Sequence, residues 1–224
     1  MLSLQILANG LMLGGLYACI AAGFSLVWGV LNVINILHGS FIVLGGYLAF
    51  YAYTLLGVHP FLAVLIAAPL FFALGYALQA GLVNRMIAAP VLLTLSLTFG
   101  LDLMLSNAMV LSFSADFRKL ILDPPLGLTA LGPLVLANDR LIGMLLALAL
   151  TGLLYLLLAR SRIGRAIVAV RMDREAAALM GVNVKRIYAV TFGLGALMAG
   201  TCGALLAMIF PVSPLVGPTY LGKA

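Results

Sequence analysis

Apolar residues run along this chain in long blocks, and the polar interruptions between them are short. No Asp, Glu, Lys or Arg occurs before Arg85. A helix needs about 20 apolar residues to cross a bilayer core, so the opening stretch has room for about three crossings. The first block predicts a span over about 6–30. Asn32-Val33-Ile34-Asn35-Ile36-Leu37-His38-Gly39 then breaks the pattern, and a second span follows over about 40–56. Gly57-Val58-His59-Pro60 reads as a turn, because proline disfavours helix in the residue before it. A third span runs over about 61–83, and Ala89-Pro90 opens a fourth over about 91–112. The fifth and sixth fall at about 141–159 and 187–210, the last ended by Pro211, Pro214 and Pro218. Strands of a membrane barrel are short and alternate apolar with polar residues, unlike these blocks. The expected fold is all-α: a polytopic transmembrane helical bundle of about six spans, one domain over 1–224.

Composition sharpens this reading. The chain is 65% hydrophobic and 8% charged, where a soluble domain averages about 45–50% and about 25%. Too little polar surface exists to cover a water-soluble globule. A soluble enzyme, a nucleic-acid-binding module and a disordered scaffold are excluded, and the bilayer is the expected surrounding. The opening residues lack the basic start of a secretory signal, and the first block is too long for one. Cys19 and Cys202 lie in apolar stretches and read as small buried residues, so no metal site or disulfide framework is expected.

The charges set the orientation. Segment 160–186 holds seven basic side chains against Asp173 and Glu175, and so carries +5 of the +6 formal charge. Segment 113–139 holds Arg118 and Lys119 against Asp116, Asp123 and Asp139, with Pro124, Pro125, Gly127, Gly132 and Pro133 as punctuation. Loops rich in Lys and Arg stay in the cytoplasm. Segment 160–186 is therefore expected inside and 113–139 outside. Counting back puts Arg85 inside, His59 outside, the Asn/His break inside and the N-terminus outside.

Several residues stand out against the apolar background. Gly10 and Gly14 are four apart, and the sixth span has two rows of small residues: Gly195, Ala199, Gly203, Ala207 and Ala196, Gly200, Ala204. Such rows let helix backbones approach closely, for packing or for gating. Asp102 is the one ionisable residue well inside a predicted span, with Thr98 and Ser106 four residues to either side. It reads either as a pathway residue or proton carrier, or as a partner in a helix–helix hydrogen bond. Asn32, Asn35 and His38 recur at intervals of three, as caps of a helix break or as substrate contacts. In the basic segment, residues 173–183 read as a short helix of about two turns, roughly 12 Å long. Asp173 caps its start and Gly181 follows its end. It presents Ala177, Leu179 and Met180, as a plug for a groove in a soluble partner.

Glu175-Ala176-Ala177, with Gly181 four residues on, resembles the EAA loop of ABC importer permeases. The Ile-x-Leu-Pro continuation of that loop is replaced by Thr191-Phe192-Gly193-Leu194, as in the LivH-type branch that imports branched-chain amino acids. Gly14-Gly15-Leu16-Tyr17-Ala18, Gly29-Val30-Leu31-Asn32-Val33-Ile34-Asn35, His38-Gly39-Ser40-Phe41 and Gly45-Gly46-Tyr47 resemble the same branch. So do Thr98-Phe99-Gly100-Leu101, Ser161-Arg162-Ile163-Gly164-Arg165-Ala166 and Gly181-Val182-Asn183. The resemblance covers nearly the whole chain, in order. It implies a permease subunit in the inner or plasma membrane, paired with a LivM-like second permease. Cytoplasmic ABC ATPase subunits would bind below and an external substrate-binding protein would deliver from above. Glu175, Ala176, Ala177, Leu179 and Gly181 would then form the ATPase-docking coupling helix, with Asn32, Asn35, His38 and Asp102 as candidates for the pathway. The chain has no GxxxxGK[ST] phosphate loop, so the resemblance places ATP hydrolysis on a partner and leaves this subunit neither an enzyme nor a cofactor binder. Related permeases also serve urea, short amides and aromatic acids. Family members continue for about two spans beyond the region matching Gly217 to Ala224, which implies an incomplete C-terminus, and Asp102 lies outside the family pattern. Two other readings of the residues stay open: a proton-coupled secondary transporter using Asp102, and a membrane scaffold that transports nothing.

Overall fold

The computed structural model describes residues 2–86, 90–123, 125–131 and 134–222. Ala89 at the predicted opening of the fourth span, Pro124, Gly132 and Pro133 of the polar loop, and the final Lys223-Ala224 lie outside the described residues. Nine α-helices occur among those described: α1 (Leu2–Leu31), α2 (Leu37–Leu56), α3 (Pro60–Gly81), α4 (Val91–Phe113), α5 (Asn138–Arg160), α6 (Arg162–Met172), α7 (Arg174–Leu179), α8 (Val184–Leu206) and α9 (Gly217–Leu221). Six of them, α1 to α5 and α8, are long and apolar enough to cross a membrane. A two-stranded antiparallel hairpin, β1 (Leu128–Leu131) and β2 (Leu134–Ala137), stands within the polar 113–139 loop, where no strand was expected.

Local chemistry sets most boundaries. His59 Nδ1 accepts from Phe61 N at 3.4 Å and Pro60 opens α3, where its missing N–H costs nothing. Ser161 and Asn183 cap α6 and α8 by accepting from Gly164 N and Arg186 N. The side chain of Gln5 brackets Val135, donating to its carbonyl at 2.6 Å and accepting from its N–H at 3.0 Å. That pins the start of α1 to the hairpin.

α8 is the axis of the bundle. Its span is 89% buried, against 17% for α4 and α5. The two rows of small residues make this possible. A methyl group on Gly203 would run into the Ile42 carbonyl, and one on Gly45 into the Gly200 carbonyl. Packing in a membrane depends on such close approach, because lipid supplies no hydrophobic drive between helices. The Gly10/Gly14 pair is not used this way: both are exposed, and nothing lies within 4 Å of where their side chains would be. α1 instead turns Leu16, Cys19, Ile20 and Val27 inward.

The Asn/His break departs from its expected position at a membrane surface. α1 descends from the hairpin end to the basic end, where Val30 and Leu31 share a cavity with Asp173. Asn32 then takes a left-handed backbone, φ 53°, which Asn tolerates better than most residues. From there residues 33–36 climb back inside the bundle, alongside α4. Thr98 Oγ1 donates to the Ile34 carbonyl at 2.8 Å, Ser40 Oγ donates to Asp102, and the Tyr47 ring stacks on Phe113 at 4.6 Å. At 1.5 Å per residue, Thr98, Asp102 and Phe113 stand roughly 10, 17 and 33 Å above Val91. α2 therefore begins near the middle of the bundle and runs on to the hairpin end, where Tyr53 Oη accepts from Asp123 N. The physical reason is alternation of burial: Val33, Asn35 and Leu37 are buried while Ile34 and Ile36 between them are half-buried, so the two apolar anchors carry Asn35 in with them.

A second break enters from the opposite end. α8 stops at Leu206, four residues before the predicted end. Val212 exchanges both backbone hydrogen bonds with Arg118, whose Nη2 reaches the Phe113 carbonyl at 3.1 Å. The chain then turns back through Pro214–Val216, and α9 starts at Gly217 with its backbone against Gly39 in the first turn of α2. Interrupted helices are tolerated at membrane depth only where protein surrounds them or they line a cavity.

Candidate functional site

Two places concentrate polar chemistry. The first is α7 at the basic end. Asp173 Oδ1 accepts from Glu175 N at 2.8 Å and from Ala176 N at 3.0 Å, which fixes the start of the helix. At the other end Gly181 is left-handed, φ 83°; its N–H reaches the Ala178 carbonyl at 2.9 Å and Val182 N–H reaches Ala177 at 3.0 Å. This paired closure is the Schellman arrangement. The helix itself has six residues, so it is about 9 Å long and shorter than the 173–183 reading. Ala177 is not presented outward as expected. It is 5% exposed and packs inward, because it lies on the face that rests on the bundle. Leu179 at 89% and Met180 at 86% exposure form the outward apolar tip, and Glu175, Ala176 and Gly181 are exposed beside them.

Sequence reasoning missed α6, which carries α7. Its buried residues Gly164, Ile167 and Val170 recur every third position, and Arg162, Arg165 and Arg171 are exposed. That period and the Ser161 cap were the available signals.

The second place is the start of α2. Asn35 and His38 are both 0% exposed. Among the described residues, neither amide atom of Asn35 has a hydrogen-bond partner, nor does His38 Nδ1. His38 Nε2 lies 3.2 Å from the Ile20 carbonyl and the ring meets Phe24 edge-on. No side chain caps α2 and no acidic residue sits in its first turn. One step further along, Ser40 bridges Asp102 and Ser106 Oγ, the latter at 3.1 Å. Thr98, Asp102 and Ser106 thus form the α4 face turned to α2, as their spacing implied, and Asp102 takes part in a helix–helix hydrogen bond. Ser40, the residue that joins them, had no role assigned from sequence.

The structure buries Asn35, His38 and Asp102 at the start of α2, with His38 turned to α1 and Asp102 meeting Ser40 from α4, and it sets Asn32 apart. Asn32 is exposed at the basic end, where it lines a cavity of about 520 Å³ with Val33, Thr94, Asp173, Glu175 and Tyr188. The start of α7 and the foot of the broken segment therefore share one polar space. Among the described residues no group of three or more His, Cys, Asp or Glu side chains gathers to hold a metal ion.

Comparison with known proteins decides the family. Residues 6–222 match the model of the branched-chain amino acid transport system permease component. The chain belongs to this family. It is 30% identical to the high-affinity branched-chain amino acid transport system permease protein BraD of Pseudomonas aeruginosa, over 96% of this chain and 74% of that one. It is 31% identical to the corresponding permease LivH of Salmonella typhimurium, with the same shares covered. A D-allose transport system permease, AlsC of Escherichia coli, is 29% identical over 73% of this chain and 48% of its own. No solved structure gives a significant match. With six apolar helices and these relatives, the permease is a multi-pass membrane protein.

Proposed function

We propose that this permease is the membrane-spanning subunit of an ATP-driven importer of branched-chain or other hydrophobic amino acids. The basic end, with α6 and α7, faces the cytoplasm in the inner or plasma membrane, as its excess of arginine favours. α7 docks on a cytoplasmic ABC ATPase through Glu175, Ala176, Leu179 and Gly181, with Met180 at the tip, and Ala177 anchors the helix from beneath. The opposite end, with the hairpin, meets an external substrate-binding protein, and a second permease completes the channel. Asn32, Asn35 and His38 follow the path, and Asp102 borders it through Ser40. ATP hydrolysis belongs to the partner, since this chain has no phosphate loop.

The observation that carries this reading is the shared cavity. Asp173 and Glu175 at the start of α7 and Asn32 at the foot of the broken segment line the same space. Displacement of α7 by a docked ATPase reshapes this space at the foot of the segment that leads to mid-bundle. The test is co-purification from the native membrane in mild detergent, with and without Gly181→Pro. An ATPase and a second permease accompany the parent chain, and the ATPase is lost from the variant. Amino-acid uptake without any ATPase, abolished by Asp102→Asn, would support the proton-coupled alternative instead.

A further inference from the structure

Resting on the permease reading above, we propose that the first turn of α2 is a carboxylate site. The N–H groups of His38 and Gly39 already donate to the Asn35 and Ile36 carbonyls; Asn35 and the N–H groups of Ile36 and Leu37, which no backbone carbonyl takes among the described residues, grip the α-carboxylate of the amino acid in transit. Four observations converge. α2 is a 20-residue helix that starts near mid-bundle. A helix start carries partial positive charge and unsatisfied N–H groups, and it attracts anions. No side chain caps this start and no acidic residue belongs to its first turn; the Asp102 carboxyl that reaches the turn from α4 is taken up by the Ser40 hydroxyl. Asn35, two residues before Leu37, is fully buried with both amide atoms unpaired among the described residues, and His38 Nδ1 in the same turn is likewise unpaired. Buried polar atoms are almost always satisfied, and one left open costs stability unless a ligand fills it.

The site is closed in this structure by backbone. A side chain on Gly39 would meet the Gly217 carbonyl oxygen at 2.7 Å, so α9 lies directly on the turn. Separation of Gly217 from Gly39 opens the turn, and Gly39 leaves room for a carboxylate to approach the backbone. The chemistry selects a carboxylate and is indifferent to the side chain. It thus fits a permease whose ligand is chosen by an external binding protein.

The experiment uses the complete complex of both permeases, ATPases and binding protein, reconstituted in liposomes. The test chain carries Asn35→Cys with Cys19→Ala and Cys202→Ala. During ATP-driven turnover, the anionic sulfonatoethyl methanethiosulfonate is expected to modify Asn35→Cys about tenfold faster than its cationic trimethylammonium counterpart, because a positive pocket concentrates anions. Excess leucine protects the thiol. Equal or faster reaction with the cationic reagent, or no modification during turnover, would overturn the site. In case the cysteine variant fails to assemble, maximal uptake at saturating loaded binding protein is compared for Asn35→Asp and Asn35→Gln. Asp repels the carboxylate and lowers the rate at least about tenfold, while Gln restores most of it; equal losses would mean a packing role and refute the site. A parent complex with no ATP-dependent uptake would remove the permease reading itself, and the site with it, a result distinct from a failure confined to the variants.

Discussion

Gly181 offers a direct test of how α7 is held, because its requirement is conformational and not spatial. Its backbone is left-handed, φ 83°, and nothing lies within 4 Å of where a side chain would sit. Within this chain a substituent there meets open space, so its effect on α7 itself arises from the backbone, and the contrast between Asn and Val reads that effect apart from bulk at the docking face. Holding an L-residue in this conformation costs roughly 1–2 kcal/mol. Asn, which tolerates the region, costs less, and a β-branched residue costs most. The same 1–2 kcal/mol changes a population ratio by a factor of about 5–30. The two hydrogen bonds that close the helix, Gly181 N–H to Ala178 and Val182 N–H to Ala177, are lost in the altered conformers. The series Gly181→Asn, Gly181→Ala and Gly181→Val is therefore expected to lower coupled uptake in that order. The fall is slight for Asn and about 5–30-fold for Val. The assay is leucine uptake per ATP hydrolysed in proteoliposomes, with the amount of inserted chain measured alongside. Full coupling in Gly181→Val, or equal losses for Asn and Val, would refute the claim that the left-handed closure of α7 transmits the ATPase signal.

Four further outcomes follow from the packing. Gly203→Leu drives a side chain into the Ile42 carbonyl and is expected to abolish recovery of folded protein on size exclusion, whereas Gly10→Leu and Gly14→Leu, which meet nothing, leave it intact. Asp102→Ala removes the acceptor of the Ser40 hydroxyl across the helix pair and is expected to cost about 1–3 kcal/mol of stability, while Asp102→Asn keeps an acceptor and costs less; thermal unfolding in detergent separates the two. Leu179→Asp, at an exposed tip, leaves the melting temperature unchanged and weakens ATPase binding about tenfold or more in a titration, as loss of an interface anchor does. Gln5→Ala releases both hydrogen bonds to Val135 and is expected to speed amide exchange in the hairpin without affecting the bundle.

The periodic features were legible and the contextual ones were not. All six crossings were set by blocks of apolar residues, and the small residues of α8 announced a buried helix through spacing alone. The caps Asp173 and Gly181 were readable because each acts on residues next to it in sequence. The Asn/His break was seen, and Asn32 does stand at the basic end; what was not seen is that Asn35 and His38 turn back into the bundle. Two amides and an imidazole look like a surface turn, and only the packing of Val33 and Leu37 against the bundle shows that the latter two are drawn inside. The Gly10/Gly14 spacing was present without the packing, because which helix face meets a neighbour is decided by the other helices. α6 hid in a charged segment whose arginines outnumber its buried Ile167 and Val170. The hairpin at Leu128–Ala137 depends on the distant Gln5, a pairing no local pattern reveals.

The most direct test of the central claim is leucine uptake by liposomes holding the complete complex, measured with and without ATP and with and without a proton gradient. Uptake that requires ATP and the loaded binding protein, is indifferent to the gradient and is lost in Gly181→Pro is the result expected. Uptake driven by the gradient without ATP, or unaffected by Gly181→Pro, would contradict it.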